Sequence, residues 1–123
     1  MVVCGTLIGE SLRVGSAIDG IAITMTKIAR ARLGDAEAEQ PDVWTFIEFE
    51  AADEDVERLV VTLEGSLERV GGWYCDFRSD TETVVVFSGR TFRYRRGDSS
   101  GRAAAADCGR AVGVPEEQLD WPV

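Results

Sequence analysis

Tyr74, Asp76 and Arg78 recur at every second position of Trp-Tyr-Cys-Asp-Phe-Arg, so on an extended strand their side chains share one face. Arg93 and Arg95 repeat that spacing in Arg-Thr-Phe-Arg-Tyr-Arg-Arg, downstream of a glycine turn. If the two strands belong to one sheet, the arginines can join the first three groups. Such a set fits a small anionic ligand. Guanidinium groups grip carboxylate or phosphate bidentately, while Asp76 would act as a general base and Tyr74 as a hydrogen-bond donor. Arg78, Arg93 and Arg95 are therefore the expected ligand-binding residues. Asp76 and Tyr74 are the catalytic ones if the protein is an enzyme acting on an anionic metabolite. The competing reading is a solvated sheet face coated with cross-strand charge pairs.

Val84 and Val86 fall among these arginines in the strand pattern. Valines inside a charged face argue that something covers it, and they are the expected interface residues of a homodimer. Glu48 is a conceivable carboxylate partner for Asp76 in acid/base work, at a separation the sequence does not fix.

Other chemistry is pruned by composition. The chain has no histidine, which excludes Ser-His-Asp and Cys-His machinery and His-ligated zinc. Cys4, Cys75 and Cys108 are odd in number and form no Cys-x-x-Cys, against a disulfide framework or zinc ribbon and in favour of a cytoplasmic location. Cys75, alternating with Phe77, and Cys108 read as packing residues. Asp35, Glu37, Glu39 and Asp42 cluster in one loop, but the central glycine of a calcium loop is missing and Phe46 stands where its last ligand belongs. No metal and no cofactor are expected. No Gly-x-Gly-x-x-Gly or Walker pattern occurs.

A net charge of −9 disfavours nucleic acid and anionic membranes as partners. Charge is also segregated. Acids dominate residues 35–68, where Arg58 is the lone base, whereas Arg90, Arg93, Arg95, Arg96 and Arg102 face only Asp98 in residues 90–102. Arginine far outnumbers lysine, a bias that fits a GC-rich bacterial genome. No run reaches the length of a membrane span, and the N-terminus lacks the basic region of a signal peptide.

The elements that must position these residues follow from periodicity. Residues 2–8 read as a strand. Ile21, Ile23 and Met25 alternate with polar or small residues, as do residues 44–50, and the two runs form an expected antiparallel hairpin. Asp53 is the expected N-cap of a helix whose stripe is Val56, Leu59, Val60, Leu63 and Leu67, ended by Gly71-Gly72. Strands over 73–78, 83–87 and 91–95 follow, with a turn at 88–90, and a second helix runs from Ser100 to Ala111. In the last hairpin, Thr83, Val85, Phe87, Phe92 and Tyr94 share one side, which should meet the helices, and Val84, Val86, Thr91, Arg93 and Arg95 share the other. Pro115 to Pro122 forms a helical turn pinned by Leu119 and Trp121.

Residues 1–123 are thus expected to make a single α+β domain: an antiparallel sheet of five to six strands, two helices packed on one face, and a split βαβ (ferredoxin-like) core. With no catalytic motif, the expected function is an interaction or small-ligand-binding domain that self-associates. The alternative is the small enzyme with the Arg/Asp/Tyr site.

Overall fold

A computed structural model describes residues 1–33 and 40–123 of the chain. Among them, β1 (Val2–Ile8), β2 (Ile23–Arg32), β3 (Val43–Ala52), β4 (Cys75–Arg78), β5 (Glu82–Phe87) and β6 (Arg90–Arg95) form one sheet in the order β2-β3-β1-β4-β5-β6. Every pairing is antiparallel. Helix α1 (Val56–Ser66) joins β3 to β4, and α2 (Ser99–Ala111) follows β6. The α+β class and the order of elements agree with the sequence patterns. The loop acids Asp35, Glu37 and Glu39 lie outside the described residues. No helix among the described residues is long and apolar enough to cross a membrane.

Three departures matter. The strand order is not the ferredoxin-like one: β1 lies at the centre, paired with β3 on one side and β4 on the other, and no strand follows α2. The helices do not share a face. Val84 and Val86 pack under α1 with Phe77, Leu59 and Leu63, whereas Val85, Phe87 and Tyr94 pack with Ala105 and Ala106 of α2 and with Leu119 and Trp121 of the C-terminal tail. Alternation along one strand therefore sends neighbouring valines into two different cores. Asp53 is not a helix cap either. Asp53–Asp55 form a 3-10 turn entering α1, with no side-chain cap, while α2 is capped by Asp98, whose carboxylate accepts a hydrogen bond from the Gly101 amide at 3.0 Å.

Two of the glycines at close approaches bear on this arrangement. A Cβ on Gly5 would stand 2.5 Å from the Asp76 carbonyl and from Phe77 Cβ on the neighbouring strand. One on Gly109 would stand 2.7 Å from Leu119, so this glycine seats the tail against α2. The two edge strands carry the basic residues Lys27, Arg30 and Arg32 on β2 and Arg90, Arg93 and Arg95 on β6. Charged edges of like sign resist edge-to-edge pairing.

Candidate functional site

The β4–β5–β6 register decides which sequence candidates meet. Phe77 is opposite Val84, and Val84 is opposite Arg93; Asp76 is opposite Val85, and Val85 is opposite Phe92. Partners directly opposite in an antiparallel pair share a face. Tyr74, Asp76 and Arg78 thus lie on the face that carries α2 and the tail, and Arg93 and Arg95 lie on the α1 face. The expected five-residue constellation is split by the sheet. Arg93 is moreover neutralised, donating to Glu57 of α1 and, at 2.5 Å, to Glu82 of β5. Arg95 is exposed opposite Glu82.

Val84 and Val86 are each 0% exposed. The face on which they sit is covered, as their composition required, but by α1 rather than by a partner. Cys75 is also fully buried, its thiol donating to the Thr6 carbonyl at 3.5 Å, and burial pushes its pKa well up, the opposite of a nucleophile.

On the α2 face the helix and tail cover β5 and β6 but stop short of β1 and β3. The uncovered strip forms a groove of about 350 Å³. Asp76 stands on its floor beside Thr6, which is opposite both Asp76 on β4 and Glu48 on β3. Glu48 therefore shares this face with Asp76, but it stands one strand beyond Thr6, exposed and ion-paired with Lys27 at 3.8 Å. Ile8, Trp44 and Phe46 make the apolar wall, and Trp44 is stacked obliquely on Trp73 with ring centroids 5.1 Å apart.

The tail supplies the opposite rim, with Glu117, Gln118 and Asp120. Side chains of β4's lead-in, β6 and α2 fasten it through its backbone carbonyls. The Tyr74 hydroxyl donates to the Gln118 carbonyl (3.3 Å) and the Tyr94 hydroxyl to the Pro122 carbonyl (2.7 Å), while Arg102 donates to the Trp121 (2.5 Å) and Leu119 (3.0 Å) carbonyls. Trp121 meets Tyr74 edge-on, centroids 5.2 Å apart.

Electrostatically the groove is one-sided. Desolvation raises the Asp76 pKa to about 6, and nearby Asp120 adds to the rise; Arg78 and the residue's own backbone amide pull it down without cancelling it. No side chain among the described residues donates a hydrogen bond to this carboxylate. Burial, with Asp76 and Asp120 nearby, also raises the Tyr74 pKa, so the phenol stays protonated. Arg78 shares the face but is exposed; with Arg96 and Asp80 it lines a separate shallow notch.

A larger hollow of about 670 Å³ lies between the end of α1 and the β5–β6 turn. Two of its polar groups serve the framework: Arg13 donates to the Gly65 carbonyl at 2.6 Å, and Glu64 accepts from the Thr91 hydroxyl. Among the described residues, no cluster of three or more His, Cys, Asp or Glu is placed to hold a metal ion.

The sequence placed Asp76 and Tyr74 on one face, where both line the groove, but gave neither its wall nor its rim. The alternation placing Phe46 opposite in sense to Ile47 was a usable signal, because it left an aromatic on the face not taken by α1. Glu117 and Asp120 gave no signal beyond a polar tail. Comparison with protein-family models, curated proteins and solved structures finds no match to this chain.

Proposed function

We propose that the protein is a small-ligand-binding domain and that the groove over Asp76 is its site. The observation that carries this reading is a half-buried carboxylate with a raised pKa in an aromatic-walled concavity. Burying an ionised group without a matched partner opposes folding. A threonine or valine at the same position would suit the sheet better, so stability does not account for an aspartate there. Perturbed carboxylates in apolar clefts mark functional sites. The anionic-metabolite enzyme draws no support from the arginines, because Arg93 and Arg95 cannot reach Asp76 through the sheet.

The test is a small-fragment screen read by backbone amide chemical shifts. The reading expects hits to move the Thr6, Phe46, Asp76 and Gln118 amides together. Hits that cluster instead around Arg13, Glu64 and Ser88, or that never converge on one place, would overturn it.

A second reading, self-association, is favoured by a different surface from the one expected. Met25 and Ile28 are 54% and 58% exposed and, opposite Phe49 and Ile47, both face the α1 side of β2 where the helix no longer covers the sheet. A second copy seated there would bury them. Sedimentation of the wild type against a Met25→Glu, Ile28→Glu double variant checks it: a dimer that the variant loses supports the reading, and a wild-type monomer at high concentration removes it.

A further inference from the structure

We infer that the ligand of the groove is an organic cation, a protonated amine carried on a flat apolar body. This rests on the groove being the binding site and adds the chemical class. Among the described residues, three carboxylates surround the space, Asp76 on the floor with Glu117 and Asp120 on the rim, and no lysine or arginine lines it. An anion would meet only like charge there. A neutral apolar ligand would leave the Asp76 carboxylate desolvated and unpaired, at greater cost than in the empty groove. A cation cures both defects: it supplies N–H donors to a carboxylate that has no side-chain donor among the described residues.

The walls set the rest of the molecule. Trp44, Phe46 and Ile8 offer an apolar surface against which a ring can lie, and the electron-rich faces of the aromatic residues attract positive charge. A volume of about 350 Å³ sits at the small end of ligand pockets, which suits a one-ring amine better than a peptide or a cofactor. The charged groups facing Asp76 are Asp120 and Arg78, with Glu117 at the rim and the Lys27–Glu48 pair farther along the sheet. Of these, Arg78 competes with the ligand's charge at Asp76, and its exposure to solvent leaves its hold on the carboxylate incomplete.

The experiment is an amide-shift titration at about pH 7.5 with three probes sharing one ring: phenethylamine, 2-phenylethanol and 3-phenylpropionate. Phenethylamine is expected to move the Thr6, Phe46, Asp76 and Gln118 amides, with the alcohol and the carboxylate at least about tenfold weaker, the size of one charge-assisted hydrogen bond. Asp76→Asn should weaken the amine by about tenfold and leave the alcohol unchanged. Asp120→Asn, on the exposed rim, should weaken the amine by about two- to threefold, which keeps the inference testable if the first variant folds poorly. If the alcohol or carboxylate moves the same amides as strongly as the amine, the cation assignment is wrong and the groove remains the site. If none of the three moves them, both the assignment and the site fail.

Discussion

The Tyr74 hydroxyl donates to the Gln118 carbonyl at 3.3 Å, and through this one bond the floor of the groove holds its rim. The phenol belongs to the segment leading into β4, the carbonyl to the tail, and the two residues are far apart in the chain. Removing the hydroxyl tests how firmly the rim is set. Tyr74→Phe keeps the ring packed against Trp121 and Phe87 and should cost about 0.5–1 kcal/mol, since the bond is long and neutral. A melt lower by a few degrees, with faster exchange of the Gln118 and Leu119 amides, is the expected result.

Gly5 predicts a larger effect. Any Cβ there meets backbone as well as side chain, at 2.5 Å from the Asp76 carbonyl. Because β1 is central and paired on both sides, it has little room to shift. Gly5→Ala should destabilise by about 2–3 kcal/mol in denaturant unfolding, as overpacking of a tight site does.

Glu10 anchors the chain entering the groove wall. Its carboxylate accepts from the Thr45 amide at 2.6 Å and from the Thr45 hydroxyl at 2.8 Å. Burial pushes its pKa up, but these bonds, with Arg30 nearby, outweigh it and leave the pKa lowered. A lowered folded pKa means that the stabilisation is full above the usual carboxylate range and is lost as pH falls through the folded value. Glu10→Ala should cost about 1–2 kcal/mol near neutral pH, and the gap to the wild type should close in acid.

Val84 separates core from interface. With 0% exposure under α1, Val84→Asp places an unpaired charge in the core and should cost about 3–5 kcal/mol. Arg93→Ala removes only partly exposed ion pairs to Glu57 and Glu82 and should cost less than about 1 kcal/mol. Neither change should alter amine binding except through folding.

Much of the fold was legible in the chain. Alternation gave the β2–β3 hairpin, the apolar stripe from Val56 to Leu67 gave α1, and Ser88-Gly89 gave the last turn, with Gly89 at φ +71° and Phe87 opposite Arg90. The error about faces had a visible warning. Residues 83–87 are apolar or β-branched without interruption and all five are buried, as in a strand covered on both sides. Reading that run as half-exposed put both helices on one side and left the valines for a partner. The groove itself was not legible. Its walls come from β1, β3, β4 and the tail, and they meet only because the N-terminal strand inserts between β3 and β4, an arrangement set by long-range packing that no local pattern encodes.

The most direct measurement compares the unfolding free energy of the wild type and Asp76→Asn across pH. The folded pKa of Asp76 is raised to about 6, above the usual carboxylate value, so its burial cost is absent below about pH 4 and grows as pH rises through about 6. Discounted for partial exposure, that cost is about 1–2 kcal/mol. The account predicts that the asparagine variant is more stable than the wild type by this amount at about pH 8, and that the two converge near pH 4. A variant less stable than the wild type at about pH 8 would make Asp76 a structural anchor and contradict its assignment as the binding carboxylate.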